Sequence, residues 1–450
     1  MRRLSRILVR VFFRRIEVEG LGGFPVDGPA VLVANHINGL VDALLLMATL
    51  PRFPRFLGKS TLFRIPPLWP FLKLAGVVPV YRATDGEPTA RNDDAFRTCR
   101  RLLARRALVA LFPEGISHDE SMLQPLKTGA ARIALGAAAD DHLAGVVIVA
   151  VGLSYDAKAR FRSRALVRVG RTEGADDWTE AYRRQPRQAV RDLTRETADR
   201  LTAVSPTYRS WVQATELALM ADIVDRPLGG RGRADVELGR REQTAQRLAD
   251  AEASDRYPDR LVALRRVSAE YGRDLALLGL SDAQLVEDGR PGRRRLALAW
   301  SVVRVAAALP AAAVGALLHV VPYQVMKRVG AVPANESIRA TVKLLGCFFL
   351  FSVLYVVVGV LVGDAFGPWA GLAATVGSPV CGYATVRLAE RLQRIGGVVA
   401  GARILRQRRA VLSTVLAHRA AVVEAAQGVL TPDSPTAPTS ATGPSGSVLR

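Results

Sequence analysis

The chain has 450 residues and a formal net charge of +21, so it is longer than one typical domain and two or three units are expected. Its basic residues are spread along the chain and favour an anionic surface as partner, while no zinc-ligand spacing or RNA-binding aromatic signature indicates nucleic acid. The three cysteines imply no disulfide framework, and long apolar stretches favour membrane lipids as the partner.

Residues 1–14 predict a short amphipathic basic helix. Arginines alternate with apolar residues at helical spacing, namely Leu4, Ile7, Leu8, Val11 and Phe12. Such a helix can lie in the interface of an anionic membrane, or it can cover a sheet, and the two roles are compatible. No secretory signal is predicted, because the stretch has no adequate apolar core or small-residue cleavage site.

The stretch Val31–Asp42 predicts an apolar strand that ends at Asn35 and His36 and is followed by Asp42. An imidazole can accept a proton from an alcohol, and a carboxylate on its other nitrogen would fix the tautomer. No side-chain nucleophile completes a triad here, so the substrate's own hydroxyl is the expected nucleophile and acyl transfer to an alcohol the first hypothesis. The alternative is a structural histidine beside an aspartate that caps the helix Ala43–Leu50.

Three further segments predict strands of an α/β fold, namely Leu74–Arg82, Ala107–Gly115 and Val146–Tyr155. The arginine that ends the first strand could bind a phosphate with its forked guanidinium. The Glu-Gly turn that ends the second lets backbone N–H groups approach an anion closely.

In this order, the segments resemble the conserved blocks of the glycerophospholipid acyltransferase superfamily, which includes the glycerol-3-phosphate and lysophosphatidate acyltransferases. The resemblance covers roughly the first half of the chain. The matching residues are Asn35, His36 and Asp42, then Pro79, Val80 and Arg82, then Phe112, Pro113, Glu114 and Gly115, and finally Lys127 and Gly129. The resemblance implies an acyltransferase-type mixed sheet flanked by helices.

The chain departs from the family pattern at two chemically relevant places. Five residues separate His36 from Asp42 where four are usual, as in a branch related to the fungal glycerol-3-phosphate and dihydroxyacetone-phosphate acyltransferases, and Gly39 could absorb the added turn. At 116–118 the common Thr-Arg is replaced, which removes one cation expected near a phosphate. Lys127 or Arg132 would then substitute for it.

The resemblance implies a role for each site residue. His36 would act as general base with Asp42 orienting it, and the acceptor hydroxyl would attack an acyl thioester. The residues expected to bind substrate are Asn35, Arg82, Glu114, Gly115 and Lys127. The donor would be acyl-CoA or acyl carrier protein, with no metal and no other cofactor. The acceptor stays open between glycerol 3-phosphate, which is slightly favoured, its 1-acyl derivative and dihydroxyacetone phosphate.

Two other function classes stay open. In a thioester or lipid hydrolase His36 would activate water, although the chain has no Gly-x-Ser-x-Gly nucleophile turn. A non-catalytic scaffold that binds anionic lipid would be expected to have lost some site residues, whereas all of them are present.

The predicted domain order places an acyltransferase domain at 15–185, a helical extension at 186–295, a membrane region at 296–400, a helix at 401–430 and a disordered tail at 431–450. A Gly-Arg run at residues 227–233 is a flexible connection rather than a phosphate loop, because no strand precedes it.

Within the membrane region, residues 341–362 and 366–386 predict two spans, and residues 296–321 an interfacial segment or a third span, since that stretch contains Arg304 and Pro310. Basic residues flank the two spans but none lies between them, at Gly363–Ala365. The positive-inside rule then predicts a hairpin in the cell membrane, with the catalytic domain on the cytoplasmic side.

Overall fold

The computed structural model describes residues 1–66, 68–81, 92–227, 236–254, 257–286, 291–332, 336–407 and 409–431. Arg82, most of the predicted loop at 227–233 and nearly all of the predicted tail lie outside these ranges. The described strands are β1 (Phe13–Glu19), β2 (Ala30–Ala34), β3 (Arg55–Lys59), β4 (Val78–Val80), β5 (Leu108–Leu111), β6 (Val147–Tyr155) and β7 (Ser163–Gly174). The first helices are α1 (Arg2–Phe12), α2 (Leu40–Thr49), α3 (Trp69–Ala75), α4 (Asn92–Ala104), α5 (Gly129–Leu135), α6 (Thr179–Arg184) and α7 (Pro186–Thr202). The later helices are α8 (Trp211–Asp225), α9 (Leu238–Ala253), α10 (Pro258–Leu278), α11 (Asp282–Val286), α12 (Pro291–Val329), α13 (Glu336–Phe366), α14 (Pro368–Gln407) and α15 (Arg409–Leu430).

The described strands form one mixed sheet in the order β1-β7-β6-β2-β5-β3-β4. All neighbours are parallel except the antiparallel pair β6 and β7. A central strand of such a sheet is covered on both faces, which explains why β2 is apolar throughout and fully buried. The predicted α/β class, with a mixed sheet flanked by helices, is confirmed.

Helices cover both faces of the sheet and leave one edge for chemistry. Leu32 points into a core shared with α1 and α2, whereas Val31 and Val33 point into a second core with α4, α5 and α7. Because β2, β3, β4, β5 and β6 all run in the same direction, their C-terminal ends meet at one edge. The predicted motifs Asn35–Asp42 and Phe112–Gly115 follow the ends of β2 and β5.

The N-terminal helix is shorter than predicted, because α1 ends at Phe12 and β1 begins at Phe13. Val9 and Phe12 are buried in the first core, so α1 covers the sheet face together with α2. Ile7 and Val11 remain exposed, and an additional role of α1 at a membrane interface therefore stays a prediction.

The helical extension has different boundaries from those predicted. Helix α7 lies on the sheet, because Leu193 and Leu201 are buried in the second core. A third core joins α8, α9, α10 and α11 to α15, which lies beyond the apolar helices in the chain. The segments 186–295 and 401–430 were predicted as separate parts of the chain. Helices α8 to α11 and α15, which lie in these two segments, instead form one helical unit around the third core.

Helices α12, α13 and α14 pack against one another. Among the described helices, Trp300–Val329 and Thr341–Phe366 are long and apolar enough to cross a membrane, by length and composition. The predicted pair of spans was different: it included 366–386 and left 296–321 as interfacial or a third span. Small residues in α14 lower its mean hydropathy. They also allow neighbouring helices to pack closely, as where Gly371 contacts Gly359 and Gly363.

Candidate active site

The site begins where β2 ends. The chain leaves β2 at Ala34 and enters α2 at Leu40, and the intervening turn contains Gly39 with φ of +57°. This left-handed conformation is easiest for glycine, as predicted for the longer spacing. The turn brings His36 Nδ1 to 2.9 Å from Asp42 Oδ2, so the predicted pair meets in space.

The carboxylate of Asp42 is completely buried and has three hydrogen-bond partners. The backbone N–H of Asn38 donates to Oδ2 at 2.8 Å, beside His36, and the Tyr155 hydroxyl donates to Oδ1. Burial and the neighbouring Asp42 charge raise the pKa of Tyr155 well above its usual value, so the phenol stays a donor. These contacts leave the carboxylate a single orientation, facing the imidazole.

The imidazole of His36 is held flat against an aromatic ring. Phe112 stacks on it with ring centroids 3.9 Å apart and planes only 8° from parallel, and Phe56 supports Phe112 from behind. The His36 side chain is 16% exposed. Within the described residues, Nε2 has no hydrogen-bond partner, so this nitrogen is available to a ligand from outside.

Glu114 fixes the backbone that bears the histidine. Its Oε1 accepts a hydrogen bond from the His36 N–H at 2.7 Å, and its Oε2 accepts from the Gln124 N–H at 2.8 Å. The same Oε2 contacts Nε2 of the buried His118, whose backbone N–H donates to the His36 carbonyl. Both carboxylate oxygens are thus engaged by the chain, and a substrate contact of Glu114 stays a prediction.

Lys127 lies directly over the turn that follows β5. Its backbone N–H donates to the Pro113 carbonyl at 2.7 Å, and its aliphatic stem covers Gly115, which has φ of +78°. The side chain is exposed, and its ammonium has no partner among the described residues. A cation available for an anionic ligand therefore stands on the same edge as His36.

The remaining predicted residues are placed differently. Arg132 is engaged by an ion pair with Asp93 at 3.5 Å and a cation–π contact with Phe96. Both polar atoms of the Asn35 side chain pair with the backbone of Leu153, so its predicted substrate contact stays untested. Arg82, two residues after β4 in the sequence, lies outside the described residues.

Sequence reasoning did not assign roles to Tyr155, His118 or Phe112. Tyr155 ends β6, which is parallel to β2, so its position at the shared edge could have indicated a contact with the histidine pair. His118 follows Glu114 by four residues, but nothing in the local pattern indicates that their side chains meet.

The arrangement can take a proton from a bound hydroxyl. Imidazole Nε2 is open, the opposite nitrogen faces a buried carboxylate, and a cation lies nearby. Within the described ranges, no group of three or more His, Cys, Asp or Glu side chains could hold a metal ion.

Comparison with known proteins finds similarity to acyltransferases. The Acyltransferase family model matches residues 15–154. The chain is 32% identical over 202 residues to glycerol-3-phosphate O-acyltransferase 2 of Saccharomyces cerevisiae, which covers 44% of this chain and 26% of the relative. It is 34% identical over 123 residues to the chloroplastic 1-acyl-sn-glycerol-3-phosphate acyltransferase LPAT1 of Arabidopsis thaliana, with 27% and 33% coverage. The matches thus span a quarter to a third of the length of these two relatives.

Among solved structures, the 1-acyl-sn-glycerophosphate acyltransferase PlsC from Thermotoga maritima matches with a TM-score of 0.33 and 20% identity. That match covers 44% of this chain and 76% of the other.

Proposed function

Because residues 15–154 form an acyltransferase-family domain, we propose that the chain moves a fatty acyl group from an acyl thioester to a hydroxyl of glycerol 3-phosphate or 1-acylglycerol 3-phosphate. The observation that carries the proposal is the pairing of His36 with the buried Asp42, which leaves Nε2 open at the sheet edge. The relatives named for these two acceptors support the same reaction class.

The proposed reaction uses His36 twice. Nε2 accepts the proton of the acceptor hydroxyl as its oxygen attacks the thioester carbonyl, and Asp42 stabilises the imidazolium that forms. When the tetrahedral intermediate collapses, the carbon–sulfur bond breaks. The imidazolium then returns its proton to the departing thiolate, so His36 ends the cycle neutral.

Acceptor recognition in this proposal rests on cations at the same edge. Lys127 would hold the phosphate together with Arg82, and the Gly115 turn would let the acceptor approach the backbone. Acyl-CoA or acyl carrier protein would deliver the acyl group, without a metal or another cofactor.

Attachment to a membrane suits the substrates and products of this reaction. Acyl donors are amphiphilic and the acylated products insert into lipid, so a site at a bilayer surface can release product directly. Two described helices of sufficient length and hydropathy support attachment to the cell membrane. We place the catalytic domain on the cytoplasmic side, because Lys343, at the start of the apolar stretch of α13, bonds to the Ala159 carbonyl of that domain, whereas Gly363–Ala365 near the other end holds no basic residue.

The test is acyl transfer from labelled acyl-CoA by membranes that contain the protein, with glycerol 3-phosphate and its 1-acyl form offered separately. His36→Ala should lower transfer roughly 10²–10⁴-fold, the usual contribution of a general base. His418→Ala is the matched control. His418 also pairs with an aspartate, Asp274, but it lies on α15 in the helical unit. That control should retain full activity.

The outcome also separates the rival functions. Label that appears as free fatty acid in a His36-dependent manner would identify a hydrolase. Folded protein that transfers to neither acceptor from acyl-CoA and from acyl carrier protein, with or without His36, would favour a lipid-binding scaffold.

A further inference from the structure

Among the described residues, the segment around α3 leaves several large apolar side chains exposed. Ile65, Trp69 and Leu74 are 44%, 46% and 67% exposed, while Leu72 and Ala75 hold the helix against the domain. Lys73 lies over the Trp69 ring, 5.2 Å from its centroid. An aromatic side chain with a cation beside it, next to exposed aliphatic groups, is typical of a membrane interface.

This surface lies against the apolar helix α13. Phe71 packs edge-on against Phe348 and Phe349, with ring centroids 5.9 and 6.2 Å away. Lys343 is the last charged residue before the apolar stretch of α13. At the helical rise of about 1.5 Å per residue, Phe348 and Phe349 lie about 8 and 9 Å along the axis from Lys343.

The first turns of the span are fixed to the acyltransferase domain. Thr341 Oγ1 accepts a hydrogen bond from the Leu40 N–H at 3.1 Å, and Lys343 Nζ donates to the Ala159 carbonyl at 3.0 Å. Leu344 is buried in the first core of the domain. The depth of α3 relative to the span therefore follows from the packing of α13.

From these contacts we infer that α3 is immersed in the interfacial layer of a phospholipid monolayer, with Trp69 and Leu74 among the upper acyl chains and Lys73 at the lipid phosphates. The inference rests on the membrane attachment proposed above. A depth of about 8–9 Å is within the range at which interfacial helices lie. Leu40, two residues before Asp42, is bonded to the polar end of the span, so the catalytic edge lies at the membrane surface.

The test measures the depth of a fluorescent probe in liposomes of phosphatidylcholine and phosphatidylglycerol. Cys99, Cys347 and Cys381 are first replaced by alanine, and Leu74→Cys is labelled with an environment-sensitive NBD group. The expected result is a blue-shifted emission that is quenched by a nitroxide placed shallowly on the lipid chains. Full-length protein is used throughout.

Two control positions separate the inference from the proposal beneath it. Val353→Cys, which is exposed and lies about 15 Å beyond Lys343 within the candidate span, should be quenched by a deeply placed nitroxide. Arg195→Cys, exposed on α7 over the opposite face of the sheet, should remain in water.

Each contrary result has its own meaning. A Leu74 probe in water beside a Val353 probe in lipid would overturn the inference and leave membrane attachment standing. A Val353 probe in water would overturn both. A blue-shifted Leu74 probe that no lipid quencher reaches would show that a second copy of the chain covers α3, which also overturns the inference.

Discussion

The carboxylate of Asp42 is the best-defined group of the candidate site at the scale of single residues. It has no solvent contact, faces His36, and accepts hydrogen bonds from the backbone N–H of Asn38 and from the Tyr155 hydroxyl. Three contacts on a buried carboxylate fix its orientation. In the proposed reaction Tyr155 would therefore be a positioning residue, which acts through Asp42.

Tyr155→Phe should lower kcat about ten-fold and leave the acceptor KM nearly unchanged, because a lost hydrogen bond to a charged group is worth about 1.5 kcal/mol or more. The phenol touches Asp42 and not the proposed acceptor site, so binding is spared. The measurement is steady-state acyl transfer over a range of acceptor concentrations.

Tyr271→Phe is the matched control for Tyr155. Its buried hydroxyl donates to Asp282 at 2.6 Å in the helical extension, so this variant removes the same kind of bond away from the site. Equal losses of kcat in both variants, or a rise in KM for Tyr155→Phe, would contradict the positioning role.

Lys127→Ala should raise the acceptor KM on the order of 10- to 100-fold with a smaller change in kcat, because it removes a charge-assisted contact worth about 1.5–3 kcal/mol. Arg132→Ala should change the KM little, since that guanidinium is engaged by Asp93 and Phe96. The measurement is the KM for glycerol 3-phosphate of each of the two variants. A larger effect at Arg132 would show that it moves to the phosphate when acceptor binds.

The local parts of the site could be predicted from sequence, and the long-range parts could not. His36 and Asp42 lie within one turn of chain, so their spacing alone predicts their meeting. The partners of Tyr155 and Asn35 are more than one hundred residues away and depend on the strand order. That order follows from the competition of all strands for neighbours, which no single segment reveals.

At the scale of elements, the connection from β6 to β7 links the sheet to its surroundings. Asp156, just beyond β6, accepts hydrogen bonds from Arg164 Nε at 3.0 Å and from Arg241 of α9 at 2.7 Å. Burial opposes the charge of Asp156, but the bonds and charges of Arg164 and Arg241 outweigh it and lower its pKa to about 2. The ordinary value for this carboxyl is 3.8.

Because the pKa is lower in the folded protein, the ionised Asp156 stabilises the fold above about pH 4, and this contribution disappears as the pH falls from about 4 to about 2. A difference of nearly two pKa units corresponds to roughly 2 kcal/mol. Asp156→Asn should therefore lower the unfolding midpoint at neutral pH and approach the unsubstituted protein in acid. Thermal unfolding in detergent at several pH values measures the difference in midpoint between Asp156→Asn and the unsubstituted protein.

The exposed Asp94 provides the control for Asp156. Asp94→Asn should leave the midpoint almost unchanged at every pH, since its ion pair with Arg97 lies in water. A midpoint gap for Asp156→Asn that persists undiminished at low pH would rule out its charge as the cause.

At the scale of the whole molecule, the order of segments along the chain differs from their order in space. The apolar helices α12 to α14 interrupt a helical unit that α15 completes. This unit contacts the catalytic part at several points, among them Arg241, which donates to Asp156, and Trp211, whose indole N–H donates to the Asp119 carbonyl. Hydropathy identified the apolar stretches because it is a local property. Hydropathy could not predict that α15 packs against α8 and α10, because the apolar residues of α15 could pack against any helix.

The side chain that fixes α15 in this unit is Arg419, which is 2% exposed. It donates to Asp282 at 2.8 Å and to the carbonyls of Ile223 and Arg226 at the end of α8. Removing one partner of a buried ion pair is destabilising by about 3–5 kcal/mol, so Arg419→Ala should release α15. Thermolysin, which cleaves beside apolar side chains such as Leu412 and Leu416, should then cut α15, whereas His418→Ala, which removes a partly exposed pair on the same helix, should leave α15 protected.

Acyl transfer by the same Arg419→Ala sample tests how independent the catalytic part is. The two cores around the sheet share no residue with the core of the helical unit, so transfer per folded molecule should persist after α15 is cleaved. Loss of transfer in step with the cleavage of α15 would contradict this independence. The bond from Trp211 to Asp119 would then be the route to examine, because Asp119 lies next to His118 and so to the Glu114 that holds the His36 backbone.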